Sequence, residues 1–363
     1  MARRKVATVV SVPAAAAQAA LALERAVEAQ LTLDLPRPPQ VSTRPFRSEL
    51  TLERASLFVA DSYKGDFFER EVVVRDALTG EPMVTRLIVG KVHAQDRGRG
   101  VLRVSHRNVL YKLFELWGQL GYPVEYADGA QVGLIRMSAY QLVSSLFPGD
   151  DSARAYRRTQ ELLQDLQGIP IFFDNVASWQ GLMTARKINI LEGYEWYERR
   201  VDRKTHRPVA GGSSCVTVKF SVFITDAFRA RYTKTLLGKP LDSISGGGKK
   251  SAIADALYPE LDEQLTDKES YQASLQFLAV RYGFRTHAQP SRRKEQFVSA
   301  VRVLDGVLIV EGKYRLRVEL QKSPDDYLFC ARREPLKVDS AEREAGRGKL
   351  PGRVASAKPR ERG

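Results

Sequence analysis

Cysteine and histidine are scarce in this 363-residue chain, with two of the first and four of the second. Cys215 and Cys330 are too few for a disulfide scaffold. His93, His106, His206 and His287 lack the spacing of metal ligands. No HExxH, CxxC or Gly-x-Ser-x-Gly motif occurs, so no hydrolase or metal-site signature is present and no cofactor is implied. The run GKPLDSISGGGKKS invites comparison with a phosphate-binding loop. It has Ser243 and Lys250 where that loop needs Gly and Ser or Thr, so it reads as a glycine-rich hinge. Long apolar runs are also missing: outside the N-terminus no stretch of about 20 apolar residues exists, and no membrane partner is expected. The basic, apolar start MARRKVATVVSVPAAAA imitates a secretory leader. Pro13 interrupts it and Glu24 and Arg25 follow closely, so residues 14–30 read instead as a helix, with LPRPPQ (35–40) as an extended linker.

Positive charge is abundant. Lys and Arg total 57 against 43 Asp and Glu, a formal net charge of +14. Such an excess points to an acidic partner: nucleic acid, anionic membrane or acidic protein. Half of it lies in residues 1–45 (+3) and 335–363 (+4), while 46–250 carries +7 and 251–334 is neutral. That neutrality is an average. Residues 251–269 hold one Lys against six acids, and 270–334 hold twelve basic residues against seven acids, which suggests an acidic face and a basic face on one domain. A hydrophobic fraction of 43% lets most of the chain bury a core.

Residues 66–75 and 83–92 read as a β-hairpin. SHRNVLYKLFELWGQLGYP is a core helix: Val109, Leu110, Leu113, Phe114, Trp117 and Leu120 recur at helical spacing. After β-like GLIRM, Ser138 and Gln141 form a capping box that opens a helix to about Phe147. PGDD is a turn, with Asp150 and Asp151 as turn or capping acids, and Ser152 opens a second helix to about Gln167. IPIFFDNV is β-rich. Two long strands follow, roughly 186–199 and 214–225, around the basic glycine-containing tip RVDRKTHRPVAGGS. Two helices joined by a short turn, then a hairpin with a basic tip, is the order of a winged helix. After the hinge the order recurs: helix 251–265, a short strand in ESYQAS, helix 275–283, turn FRTHAQ, a helix from Pro290 or Ser291 to about Leu304, and two strands joined by QKSPDD. The expectation is an α+β fold with two winged-helix domains in tandem. Its segments are 1–45 (N-terminal helix and linker), 46–237 (first domain), 238–250 (hinge), 251–334 (second domain) and 335–363 (disordered basic tail).

In the helix 152–167, Ala155, Thr159, Leu162, Leu163 and Leu166 share one face. Arg154, Arg157 and Arg158 cluster on another, beside Ser152 at the N-terminal end. That end of a recognition helix enters the major groove, where Arg reads guanine edges or grips phosphate. Arg186 and Lys187 at the start of the strand pair, and Arg203, Lys204 and Arg207 in its tip, are candidate backbone contacts. In the second module Phe297, Val298, Val301 and Leu304 define a buried face. Arg292, Gln296 and Ser299 project opposite, flanked by Ser291, Arg293 and Lys294. Along the next strand Lys313, Arg315 and Arg317 alternate with Tyr314, Leu316 and Val318, so three cations stand side by side. The bland readings are a solvated basic helix face and a charge-guarded strand. Tyr194 and Trp196 share a strand face and read as core; with Tyr197 they could otherwise stack bases.

At these residues the chain resembles the plasmid replication initiators of the TrfA and RepA type, over roughly 105–330. The first carrier is IRMSAYQLVSSLFPGDDSARAYRRTQELLQDLQGIPIFF, with Ala139 in place of the usual Pro and with Tyr140 and Leu142 retained. The others are LLGKPLDSISGGGKKSAIADALYPELDEQL and PSRRKEQFVSAVRVLDGVLI. Ala254-Asp255 stands where the family has a basic pair, which weakens a DNA role for that helix. The resemblance implies binding to iteron repeats of double-stranded DNA at a plasmid origin, help in opening AT-rich DNA, and recruitment of a host initiator and replicative helicase. It also implies a switch between monomer and homodimer, while two free-standing cysteines fit a reducing cytoplasm. The residues alone reach a basic, two-module, sequence-specific double-stranded DNA binder, read as not an enzyme for want of a catalytic constellation. A transcriptional repressor, an origin-nicking nuclease and a scaffold for acidic proteins stay open.

Overall fold

The computed structural model describes residues 45–55, 57–75, 82–90, 100–127, 129–178, 181–197, 214–238, 240, 241, 244 and 251–336. The N-terminal helix and linker, the tip with Arg203, Lys204 and Arg207, the GGGKK stretch and the tail beyond 336 lie outside the described residues. So do His93 and His206.

The fold is mixed α+β. Helix α1 (Leu50–Ala55) follows β1 (Pro45–Glu49), and β2 (Phe67–Arg75) pairs with β3 (Pro82–Gly90) as an antiparallel hairpin. Helix α2 (Val104–Gln119) buries Val109, Leu110, Leu113, Phe114 and Trp117 as its periodicity requires. Leu120, at the C-cap, stays 48% exposed rather than joining that stripe, because the chain turns away through Gly121 at φ +81°. Strands β4 (Val124–Ala127) and β5 (Ala130–Ser138) follow. Trp117 packs on Phe220 and Phe228, and its indole ring lies against the backbone of Gly133. A Cβ there would sit 2.3 Å from the ring, so only glycine fits.

Ser138 caps α3 (Ala139–Leu146): its hydroxyl accepts Gln141 N–H at 3.1 Å while the Gln141 side chain accepts Ser138 N–H at 3.2 Å. Ser152 caps α4 (Ala153–Gly168), which buries Ala155, Thr159, Leu162, Leu163 and Leu166, the predicted face. The hairpin β6 (Ile171–Ser178) and β7 (Gly181–Ile188) adds to β3, and β8 (Leu191–Tyr197) pairs with β9 (Cys215–Phe220). Helix α5 (Val222–Arg229) and β10 (Thr233–Leu237) follow; β10 returns to pair with β1. The remainder is α6 (Ala252–Asp267), β11 (Ser270–Ser274), α7 (Leu275–Tyr282), α8 (Pro290–Leu304), β12 (Leu308–Ile309), β13 (Tyr314–Lys322) and β14 (Tyr327–Pro335).

One order of elements occurs twice: helix, strand, helix, helix, strand, strand. The first copy is α2, β5, α3, α4, β8, β9 and the second is α6, β11, α7, α8, β13, β14. In both, the first strand pairs with the last and the last with the middle one, giving sheet orders β5-β9-β8 and β11-β14-β13. The first copy carries β6-β7 as an insertion, which completes a separate sheet β2-β3-β6-β7.

Four expectations change. The strand expected over 186–199 is two strands in different sheets. They break at Asn189-Ile190, where Ile190 is buried and its carbonyl accepts Ser221 N–H. The strand expected over 214–225 stops at Phe220, and Ser221 starts α5, whose Phe223, Ile224, Ala227 and Phe228 are buried at helical spacing. The buried stripe of α8 is Arg293, Phe297, Ala300 and Leu304, with Val298 and Val301 half-buried. Within the run read as a hinge, Gly238, Pro240, Leu241 and Ile244 are helical and buried.

The acidic stretch 251–269 does not form one acidic face: Asp267 and Glu269 are exposed at its end, but Asp255, Glu260 and Asp262 are buried. Its helix α6 packs on α1, α2 and α8 and is buried along most of its length. Pro259 lies inside it, and a proline has no N–H for the carbonyl four residues back. That carbonyl, of Asp255, accepts Arg107 Nη2 from α2 instead. The same guanidinium donates to the Asp255 carboxylate at 2.7 Å and to the Ala256 carbonyl at 3.3 Å, and Asn108 donates to the other Asp255 oxygen at 2.9 Å. Further along α6, Asp262 meets Lys234 at 2.9 Å and accepts Val310 N–H, Glu263 meets Arg54 and Lys234 at 3.0 Å, and Glu260 meets Arg281 at 3.2 Å. Four carboxylates of the second copy are thus matched by cations, three of which come from outside it.

A second buried carboxylate pair closes the β1–α1 corner. Glu49 accepts N–H groups of Thr51 and Leu52, and Glu53 accepts the hydroxyls of Ser48 and Tyr111. Burial raises the Glu49 pKa from 4.5 to about 7 despite its two backbone donors, and raises that of Glu53 as well.

Two outcomes follow from these contacts. Arg107→Met leaves Asp255 buried with one partner fewer and is expected to cost about 3–5 kcal/mol in urea unfolding. Native Glu49 keeps a proton that the unfolded chain has lost between pH 4.5 and about 7. Stability therefore falls as pH rises through that window, by about 3 kcal/mol. Glu49→Gln should flatten this part of the profile in urea unfolding at stepped pH.

Candidate nucleic-acid interface

The N-terminal end of α4 is built by its caps. Asp150 accepts Ser152 N–H at 3.0 Å; the Ser152 hydroxyl, and then this N–H, hold that carboxyl below its ordinary range, and Ser152 accepts Ala155 N–H at 3.3 Å. Arg154 and Arg157 stand exposed on the first two turns. Arg158, also exposed, rests its guanidinium 5.1 Å from the centre of the Phe147 ring, which ties α4 to the preceding turn. Two contacts hold the helix from behind. His106 of α2 joins Asp165 at 3.1 Å, and Tyr156 meets Trp196 of β8 edge-on. Tyr194 and Trp196 pack on the core, whereas Tyr197 is 55% exposed and donates its hydroxyl to Glu195.

Strand breakage removes Arg186 and Lys187 from the pair β8–β9. They lie on β7 in the other sheet, with Arg186 over Phe223 and Lys187 over Phe172. The structure does not place them with Arg154 and Arg157 in one sheet–helix unit.

In the second copy Ser291, Arg292 and Lys294 are exposed on the first turn of α8. Arg293 is not: it is 6% exposed, with Nε donating to Asp326 at 3.0 Å and Nη1 to the carbonyls of His287 and Ala288. Its expected surface position is overturned because the helix presents it to the β13–β14 turn. Gln296 is half-buried, and the exposed Ser299 hydroxyl lies 3.4 Å from that of Ser251. Of the three cations expected along one strand, Arg315 and Arg317 lie on β13 and alternate with buried Leu316 and Val318, whereas Lys313 lies in the turn before it, and acids accompany all three. Lys313 pairs with Glu311 at 2.8 Å and Arg317 with Glu334 at 2.8 Å and Asp305 at 3.3 Å, while Arg315 faces Glu334 across the strands. These partners raise the pKa values of Lys313 and Arg317 and locally cancel the stripe.

Three exposed residues were missed by the sequence reading: Tyr140 at the start of α3, Arg285 in the α7–α8 turn and Lys322 at the end of β13. The turn FRTHAQ carried a signal for Arg285, since turns before recognition helices face the backbone. Tyr140 carried one only as a retained position of the motif around 135–173, and Lys322 carried none beyond its residue type. A cleft of about 940 Å³ between β2 and α7 is lined by Asp66, Glu69 and Glu71 as well as Arg70 and Arg281. Its mixed charge does not continue the cationic helix ends.

The fold is similar to that of domains 2 and 3 of RctB. A crystal structure of a selenomethionine derivative of those domains aligns over 79% of this chain and 98% of its own, with a TM-score of 0.51 at 10% identity. A second structure of RctB domains 2–3 aligns over 81% and 99%, with a TM-score of 0.46 at 11% identity. No protein-family model and no curated protein sequence matches the chain.

On duplex DNA, the pair Arg154→Ala and Arg157→Ala should lower the slope of log affinity against log salt by about 2, near 0.9 per phosphate contact. Arg317→Ala, which removes an already paired cation, should leave the slope within about 0.3. Fluorescence anisotropy across a salt series reads both.

Proposed function

We propose that the chain is a non-enzymatic replication initiator that binds repeated double-stranded sites at an origin through two winged-helix modules in tandem. The observation carrying this reading is the doubled unit. Each copy has a second and third helix in helix-turn-helix order, a strand pair behind them, and exposed cations on the first turns of the third helix, Arg154 and Arg157 in α4, Arg292 and Lys294 in α8. In this reading α4 and α8 enter successive major-groove faces. The helix N-termini add partial positive charge, and the β13–β14 turn acts as a wing along the backbone. Likeness to RctB, itself a replication initiator of a Vibrio second chromosome, supports the same role. Residue patterns resembling TrfA- and RepA-type initiators support iterons as the sites. Contacts to a host initiator and replicative helicase, a homodimeric repressing form and a cytoplasmic location belong to the same proposal.

A transcriptional repressor would use the same two helices, since duplex reading is common to both roles. A plasmid carrying the gene with its flanking repeats, introduced into a host that lacks other initiators, separates them. Autonomous replication that is lost in the Arg154→Ala, Arg157→Ala pair is the expected result. Repression of a promoter over the repeats without replication would favour the regulator. Metal-dependent nicking of the supercoiled plasmid by the purified protein would favour an enzyme.

A further inference from the structure

We propose that Arg293 is a positioning residue that clamps the third helix of the second copy to the strand turn behind it, without touching DNA itself. Its effect on recognition rests on the duplex-binding reading above; the clamp itself does not. Three segments meet at this one guanidinium. Nε donates to Asp326 Oδ1 in the β13–β14 turn at 3.0 Å, and Nη1 donates to the carbonyls of His287 and Ala288 in the α7–α8 turn. The other Asp326 oxygen accepts Gln276 N–H at 3.0 Å, in the first turn of α7. The Asp326 carbonyl accepts Ser323 N–H at 2.8 Å, which closes the strand turn on itself. Both charged side chains are about nine-tenths buried.

The chemistry requires arginine. A planar fork donates in two directions at once, to a carboxylate on one side and to carbonyls on the other; an ammonium is a point charge on a flexible stem and cannot span both. The neighbouring Lys294 adds a second tie, with its ammonium 4.9 Å from the centre of the Tyr327 ring at the start of β14. Helix, turn and strand pair therefore move together. The exposed cations Arg292 and Lys294 on α8 and Lys322 at the strand turn keep one separation, which is what a backbone of regularly spaced phosphates selects.

The test uses the full chain with Arg293→Lys, Asp326→Asn and Arg292→Ala, a duplex selected by the wild-type protein from a random-sequence pool, and an unselected duplex of equal length. Arg293→Lys keeps the charge, and Asp326→Asn removes a negative one. If these groups act only through the field or by direct contact, the first should bind as wild type and the second as well or better. The clamp predicts that both lose about tenfold or more in affinity for the selected duplex, with the salt slope on the unselected duplex unchanged. Arg292→Ala should instead lower that slope by about one. Hydrogen exchange without DNA gives an independent readout. Amides of 284–289 and 321–326 should exchange at least tenfold faster in Arg293→Lys than in wild type. Unchanged exchange, or wild-type affinity in both variants, overturns the clamp. Failure of the wild-type chain to bind any duplex overturns the duplex reading, while exchange still decides the clamp.

Discussion

The contact on which the arrangement depends is the Arg107 guanidinium against the first turns of α6. Pro259 makes it available by withholding an N–H from the Asp255 carbonyl, and Asp255 supplies a carboxylate on the same turn. Burying a charge is costly unless it is paired and its remaining hydrogen-bonding groups are met. Here Arg107 and Asn108 on α2 satisfy Asp255, and Arg54, Lys234 and Arg281 satisfy the acids one and two turns further along. Without those cations, burying the apolar face of α6 (Ile253, Leu257, Tyr258, Leu261 and Leu265) would leave its acids buried without charge partners. With them, the first helix of the second copy is fastened to the first helix of the first copy, and a single buried hydrophobic cluster runs through both.

That fastening also bears on how the third helices of the two copies are supported. Each third helix is held from behind by a buried ionic or hydrogen-bonded pair, His106 with Asp165 for α4 and Arg293 with Asp326 for α8. The first helices behind them are joined by the Arg107 contact. Packed elements and directional hydrogen bonds thus link α4 to α8.

Several cations of this basic chain have internal partners. Arg54, Arg107, Lys234, Arg281, Arg293 and Arg317 all meet carboxylates. Arg154, Arg157, Arg292 and Lys294 stand exposed on helix first turns. The total charge of +14 does not separate these populations, because a lysine in a buried pair and one facing solvent contribute alike to a sum. Local signals served better. Ser138, Ser152, Ser251 and Ser274 each cap a helix where a serine precedes an apolar period, since capping acts within one turn. The buried face of α4 was legible for the same reason: five apolar or small residues recur at 3.6 spacing with no competing pattern.

What the sequence determined by itself is therefore the short-range part: caps, turns, amphipathic helices, and the repeated order of elements that suggests two copies of one unit. Only the tertiary structure decided the rest. The run VFIT after Ser221 suits a strand by composition, but Phe223, Ile224, Ala227 and Phe228 are buried together only as a helix. Strands β1 and β10 pair across nearly two hundred residues, which no local pattern announces. Arg293 sits among exposed polar residues in sequence, yet faces inward because Asp326 is waiting in a turn more than thirty residues away. An acidic helix and a set of scattered cations look like separate surfaces until folding brings them face to face. Charge pairing acts through space, and a sequence orders residues only along the chain.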